Sequence, residues 1–195
     1  IICRQEGGAT MMAEAYGKMT GKPGVCLVTR GPGATNASAG VHIAMQDSTP
    51  LVLLVGQVGR SMMDREAFQE IDYRRMFGEM TKWVAQIEDP MRIPEYINRA
   101  FYTATSGRPG PVVLALPEDM LTEFADSPAI NSYQKVQPYP SPSDLETLQS
   151  LLNAANAPLM IIGGGGWDSA ACTKIQEFAD RNNLEIGRAS CRERV

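Results

Sequence analysis

Glu6 is a carboxylate in the run Arg4-Gln5-Glu6-Gly7-Gly8-Ala9, set between a short apolar stub (Ile1-Ile2-Cys3) and a stretch, Ala9 to Thr20, that reads as a helix. The junction of a strand and a helix N-terminus lies at the carboxyl edge of an α/β sheet, where such proteins tend to place chemistry. An acid in a first helical turn also favours the helix dipole, so position alone leaves a proton-transfer group and a dipole-stabilising charge both open. Further along, Gly31-Pro32-Gly33 separates an apolar run from a helix-like one and is followed by Asn36. Glycine free to take positive φ and proline with φ fixed make an ordinary turn. The loop has neither the Walker spacing nor Gly-x-Gly-x-x-Gly, so it does not indicate a phosphate cradle. Gln57 and Phe68-Gln69-Glu70 stand in a weakly periodic region and read on their own as surface loop. Lys82 is either a solvated charge or part of a substrate funnel.

The elements that would carry these residues alternate. Val25 to Thr29 is a strand-like run, Ala37 to Gln46 a small-residue helix, Leu51 to Val55 a strand, and Val84 to Ile87 another. Pro90 to Thr105 reads as a helix, with Pro90 in its first turn and Gly107 past its end. Its apolar residues Ile93, Tyr96, Ile97, Ala100, Phe101 and Ala104 recur at helical spacing and would face a sheet. Pro111 to Pro117 is a short continuous apolar run of the buried parallel kind. This alternation predicts an α/β fold with a mainly parallel sheet sandwiched by helices. Ala34, Ala37, Ser38, Gly40 and Ala44 give the second helix a small-residue side suited to close packing, within the domain or across a dimer.

Taken together, Glu6, the Gly31-Pro32-Gly33 loop with Asn36, Asp47-Ser48-Thr49-Pro50, Gly56-Gln57 and Ala67-Phe68-Gln69-Glu70 resemble, in order, the pyrimidine-binding domain of thiamine diphosphate enzymes of the acetolactate synthase type. The resemblance runs from Ile1 to about Leu121. It implies that Glu6 is catalytic and hydrogen-bonds the N1′ atom of the cofactor's aminopyrimidine. A carboxyl group in a closed, poorly hydrated site has a raised pKa and can share a proton with a ring nitrogen near neutral pH. The resemblance further implies that Glu6, Pro32, Asn36 and Gln69 bind the cofactor, and that Phe68, Gln69 and Lys82 are substrate-site candidates. The implied reaction is carboligation or decarboxylation of a 2-keto acid or related acyl donor through a thiazolium ylide. The diphosphate and its Mg2+ would be held by a separate C-terminal domain, so no metal ligand is assigned in this chain. A homodimer or homotetramer is implied as well.

Three positions depart from the family pattern. Gln5 stands where acetolactate synthases usually have His, Gly7 where they have Gln, and Glu118 where their Pro-Lys-Asp has Lys. These departures weaken acetolactate formation as the specific reaction. Glyoxylate carboligase fits less well still, because that branch replaces the glutamate. Sulfoacetaldehyde acetyltransferase and oxalyl-coenzyme A decarboxylase types stay open. Two readings from other classes also stand: a non-catalytic α/β regulatory or assembly module, and a flavin- or nicotinamide-binding oxidoreductase part built on Gly163-Gly164-Gly165-Gly166.

Composition bounds the class. The 195 residues leave room for one ordinary domain and part of another. A net charge of -4 with dispersed charges argues against nucleic-acid binding. No apolar run reaches the roughly 18 residues of a membrane span, so no membrane partner is expected. Cys3, Cys26, Cys172 and Cys191 lack metal or redox spacing, which sets a reducing, cytoplasmic compartment as the expectation. Cys26 inside an apolar strand reads as a buried small hydrophobe. His42, the one histidine, reads as a packed or interface residue and excludes a multi-histidine metal site.

The expected organisation is a pyrimidine-binding domain over 1–121 and a proline- and serine-bearing linker over 122–143. The start of a second Rossmann-like α/β domain follows over 144–184, which by resemblance is a central domain that binds FAD in some relatives. Its parts are a helix from Asp144 to Ala155, a strand from Leu159 to Ile162 and a helix from about Ser169 to Arg181. Residues 185–195 resemble the translation of a sequencing adapter and are expected to contribute no strand.

Overall fold

The computed structural model describes residues 1–127, 129–163 and 165–188, in two compact units, Ile1–Val136 and the part that starts at Gln137. Pro128 of the expected linker, Gly164 of the glycine run and residues 189–195 lie outside the described residues.

In the first unit the chain runs α1 (Glu6–Thr20), β1 (Gly24–Val28), α2 (Pro32–Asp47), β2 (Leu51–Gln57), α3 (Tyr73–Phe77), β3 (Trp83–Gln86), α4 (Ile93–Thr105) and β4 (Pro111–Pro117). The four strands form a parallel sheet in the order β1-β2-β4-β3. Side chains alternate across a strand, and the two cores follow that alternation. Leu51, Leu53, Val55, Val113 and Ala115 join the cluster under α1, α2 and α3, whereas Val52, Val112 and Leu114 join the one under α4. The central strands β2 and β4 are therefore buried on both faces, which is why their sequences are continuous apolar runs. Losing a single buried leucine such as Leu53 costs about 2–5 kcal/mol, comparable with the whole stability of a small domain.

Helices α1 and α2 approach closely through small residues. A Cβ on Gly40 would lie 2.7 Å from the Thr10 side chain, so glycine here sets the helix separation. The small-residue side of α2 is thus used within the domain, with Ala34, Ala37, Val41 and Ala44 buried. Across the sheet, the stripe on α4 packs as its spacing requires: Ala100 and Ala104 are fully buried, with Ile93, Tyr96, Ile97 and Phe101 around them.

Several boundaries differ from expectation for local reasons. Helix α1 begins at Glu6 rather than Ala9, because the Gln5 side chain caps it by accepting from Gly8 N–H at 2.6 Å. Helix α2 begins at Pro32, whose missing N–H costs nothing in a first turn. Gln57 is not a surface loop residue. It ends β2 fully buried, donates through Nε2 to Ile71 O (2.9 Å) and accepts from Val58 N–H (3.0 Å). His42 is exposed on α2 rather than packed within the chain. Cys26 is buried as expected. Part of the expected linker is docked: Asn98 donates to Asn131 O at 3.0 Å, and the Phe101 and Tyr133 rings lie 5.3 Å apart.

The second unit holds α5 (Pro142–Ala154), β5 (Leu159–Ile162), α6 (Ser169–Asn182) and β6 (Glu185–Arg188). A reciprocal Ser141–Asp144 capping box starts α5. Contrary to expectation, Glu185–Arg188 does form a strand, paired parallel to β5 with Leu159 opposite Glu185 and Ile162 opposite Arg188. A parallel ladder is closed by backbone groups, so it needs no apolar side-chain pattern to form.

Candidate functional site

All four strands of the first sheet point the same way, and α1 and α2 run back against them. The N-termini of both helices and the loops after the strands therefore meet at the carboxyl edge of the sheet. Glu6 begins α1 there and Asn36 lies in the second turn of α2. Asn36 Nδ2 donates to Glu6 Oε2 at 3.0 Å, joining the two helix starts. Thr10 Oγ1 donates to Glu6 O at 2.8 Å and holds the first turn of α1 from below.

This environment acts on the Glu6 proton in the direction opposite to expectation. The Asn36 amide and the backbone N–H of Glu6 itself hold the carboxyl below the usual carboxylate range, and they outweigh the small opposing effect of burial. The raised value expected for a closed site is absent because the carboxylate is reached by water.

The turn after β1 is locked. Gly31 has φ +58° and ψ -111°, a combination that L side chains rarely adopt. A Cβ there would lie 2.6 Å from Gln69 Cβ and 3.0 Å from Gln69 O, so the Gln69 backbone occupies the space a side chain would need. On another side the Gly31 N–H donates to the buried Tyr73 hydroxyl at 3.0 Å. Pro32 is exposed at the start of α2. Glu6, Asn36, Pro32, Gly31 and Gln69 thus form one connected series at this edge.

Phe68 and Gln69 come from a loop with an unusual backbone. Asp64, Glu66 and Gln69 all have positive φ (61°, 54° and 65°), and each such residue stores strain of about 1–3 kcal/mol. Glu70 holds the loop by accepting from Asp64 N–H (2.6 Å) and Ala67 N–H (3.0 Å), and those two donors keep its carboxyl below the usual range. Phe68 is held out of the core, 76% exposed, at the loop tip.

Lys82 stands apart from this group. It precedes β3, at the opposite edge of the sheet, and its ammonium donates to Thr103 O and to Ser106 O (2.5 Å for the latter) at the C-terminal end of α4. Partial burial lowers its pKa. It serves as a helix-terminating cation, neither freely solvated nor near Glu6.

Some residues at the carboxyl edge were not singled out by sequence. Arg60 donates through its backbone N–H and Nε to the two oxygens of Asp119 (2.9 Å each), through Nη1 to Glu88 O (2.6 Å), and through Nη2 to Glu123. It ties the loop after β2 to the ends of β3 and β4. Arg30 Nη1 pairs with Glu118 at 2.6 Å. Tyr73 is likewise new, and its one sequence signal is Asp72, a good N-cap for the short α3. Among the described residues, no group of three His, Cys, Asp or Glu could hold a metal ion, and no helix is long and apolar enough to cross a membrane.

The arrangement presents one water-accessible carboxylate oriented by the Asn36 amide, and α2 joins that pair to the rigid Gly31 turn, which packs in turn against Gln69 of the loop carrying the exposed Phe68. Comparison with known proteins gives this edge a context. Residues 1–76 match the family described as thiamine pyrophosphate enzyme, N-terminal TPP binding domain. The chain is 38% identical over 192 residues to the chloroplastic acetolactate synthase of Arabidopsis thaliana, covering 95% of this chain and 28% of that protein. It is 37% identical over 191 residues to the acetolactate synthase large subunit of Lactococcus lactis (95% and 33%). It is 36% identical over 193 residues to the acetolactate synthase isozyme 3 large subunit of Escherichia coli (95% and 33%). The chain therefore spans about a third or less of the length of these relatives.

Proposed function

Since this chain belongs to the thiamine pyrophosphate enzymes of the acetolactate synthase type, we propose that it is the pyrimidine-binding part of an enzyme that joins or cleaves carbon–carbon bonds at the carbonyl of a 2-keto acid or related acyl donor. The observation that carries this reading is the Glu6 carboxylate at the carboxyl edge of the sheet, held by the amide of Asn36 from the helix that the Gly31 turn starts.

The residues present fit a ring nitrogen. A carboxyl group accepts a hydrogen bond when ionised and donates one when protonated, and Glu6 is open enough to be reached by a flat heterocycle. When bound, thiamine diphosphate supplies the carbon nucleophile and the electron sink that side chains lack. The chain's own part is narrower. Glu6 holds or releases a proton at a pyrimidine nitrogen, and covering Glu6 moves its pKa upward toward that role. Asn36 orients the carboxylate. Pro32 and Gln69 form the adjoining wall, with Phe68 presented beyond it.

Two of the three departures from the family pattern are committed to local structure: Gln5 caps α1, and Glu118 pairs with Arg30. At Gly7 an added Cβ would lie 3.0 Å from the Gln5 side-chain amide and 3.1 Å from Asn36 O, so a larger residue would require these neighbours to shift. Our reading therefore stays at carboligation or decarboxylation rather than acetolactate formation in particular. It includes a diphosphate and Mg2+ held outside this chain, a homo-oligomer, a cytoplasmic setting, and FAD as a ligand of the domain that the second unit begins. Phe68 and Gln69 stay as substrate-site residues in it, and Lys82 does not.

Glu6→Gln in the full-length enzyme tests the reading. Removing a positioned proton-transfer group costs about 10²–10⁴-fold in rate, so kcat should fall by that order while the protein still folds and binds cofactor. Turnover within threefold of wild type would refute the role given to Glu6.

A further inference from the structure

Tyr73 is buried to 3% exposure, and its ring packs in the core about 6.2 Å from Phe77. Phenylalanine would fill the same apolar volume. The hydroxyl is therefore surplus to packing, and burial raises its pKa, so it stays neutral. It accepts the Gly31 N–H at 3.0 Å. That N–H belongs to the residue before the first turn of α2, where no helical carbonyl is available to it. Four residues upstream of Tyr73, the Gln69 backbone fills the place of a Gly31 side chain. One short segment, 69–73, thus grips the Gly31 turn from two sides, by a hydrogen bond and by direct backbone contact. The same segment carries Glu70, which bridges Asp64 N–H and Ala67 N–H and fixes the strained loop that presents Phe68.

We infer that Tyr73 is a positioning residue: its hydroxyl latches the Gly31 turn to the 64–70 loop, so that the Glu6–Asn36 pair and Phe68–Gln69 keep one fixed relative placement. The inference rests on the reading that these two loops face the cofactor and substrate. Without the latch the loops would move separately. Strain at Asp64, Glu66 and Gln69 favours relaxation of the looser one, and small misplacements at a reacting centre lower the rate steeply.

Tyr73→Phe and Glu6→Gln are to be compared in the full-length enzyme. Hydrogen exchange without cofactor is expected to show about tenfold faster exchange in Y73F at the Gly31 amide and across 64–70, with β2 and β4 unchanged. With cofactor, kcat is expected to fall about tenfold, the KM of the donor to change less than threefold, and the melting temperature to drop by only a few degrees. If Glu6→Gln is inactive while Y73F matches wild type in exchange or in kcat, the latch is overturned and the role of Glu6 stands. If Glu6→Gln is fully active, the cofactor reading falls and the latch falls with it, whatever Y73F does. If Y73F does not fold, Glu70→Gln, which leaves the core untouched, tests the same coupling from the loop side. Wild-type kcat and 64–70 exchange in E70Q would overturn it.

Discussion

Replacing Gly31 with Ala isolates the contact on which the edge geometry depends. Two costs add. The first is backbone strain: φ +58° with ψ -111° lies outside the small left-handed region that non-glycine residues can visit, and such positions cost about 1–3 kcal/mol. The second is overlap, because the new methyl would lie 2.6 Å from Gln69 Cβ, closer than real Cβ contacts come. Gln69 has little freedom to retreat, being itself at φ 65° in a loop pinned by Glu70. A total near 3 kcal/mol is expected, which lowers the melting temperature by roughly 6–12 °C for a chain of this size. Gly8→Ala is the matched control. Gly8 lies inside α1, and its added methyl would meet only Gln5 Oε1 at 3.7 Å, an ordinary contact. That change should stabilise by about 0.5–1 kcal/mol. Thermal melts followed by far-ultraviolet circular dichroism should therefore move in opposite directions for the two variants. A Gly31→Ala protein that melts within about 2 °C of wild type would show that Gln69 yields freely, and the rigid-turn argument would fail.

Asn36→Ala should raise the Glu6 pKa, because the Asn36 amide is the largest influence lowering it. A lowered folded-state carboxyl pKa contributes stability above the unfolded-state value, and that contribution is lost as pH falls through the folded-state value. The variant should therefore lose less stability on acidification than wild type; NMR titration of the Glu6 carboxyl carbon reads the pKa directly, and an unchanged titration would remove Asn36 as the cause. Lys82→Met keeps the stem packed against Gly110 but removes the bonds to Thr103 O and Ser106 O. It should destabilise by about 1–3 kcal/mol and leave kcat of the full-length enzyme unchanged at a permissive temperature; a kcat loss above tenfold in a folded variant would return Lys82 to the substrate path.

What could be read from sequence divides along a physical line. Runs whose burial is set by period or by continuity were legible: Pro111–Pro117 as a buried strand, the α4 stripe, and Cys26 as a core residue. The order of candidates Glu6, Gly31-Pro32-Gly33, Asn36 and Phe68-Gln69 was legible too, and the fold brings them to one edge. Features decided by a single long-range contact were not. Gly7 and Gly8 look like helix breakers, yet α1 includes both because Gln5 caps it and Gly7 sits tight against Asn36 O. Gln57 looks like a loop residue until its amide is seen to bond Ile71 O. Nothing local to Tyr73 announces that its hydroxyl reaches a glycine 42 residues earlier. Lys82 stays open in the sequence between a solvated charge and a substrate-funnel residue, because the carbonyls its ammonium reaches, Thr103 O and Ser106 O, lie more than 20 residues away.

The polar contacts at the carboxyl edge imply a division of labour between geometry and proton affinity. Gln57, Glu70, Tyr73, Arg60 and Asp119 are each committed to holding loops to one another or to strand ends, mostly through backbone groups. Fixed loops reduce the ordering that a bound ligand would otherwise have to impose. Glu6 is the exception. It is oriented by Asn36 but left where water reaches it, so its carboxyl sits low, and at neutral pH it is ionised in this chain. A group poised this way accepts a proton poorly until water is displaced, and displacement raises its pKa by removing solvation from the charged form. A ring that stacks over this edge would supply that displacement, while the Asn36 bond opposes it. Under the proposed function the balance of these two effects would set when Glu6 can hold a proton, and the Glu6–Asn36 pair, rather than Glu6 alone, would be the unit that tunes that step.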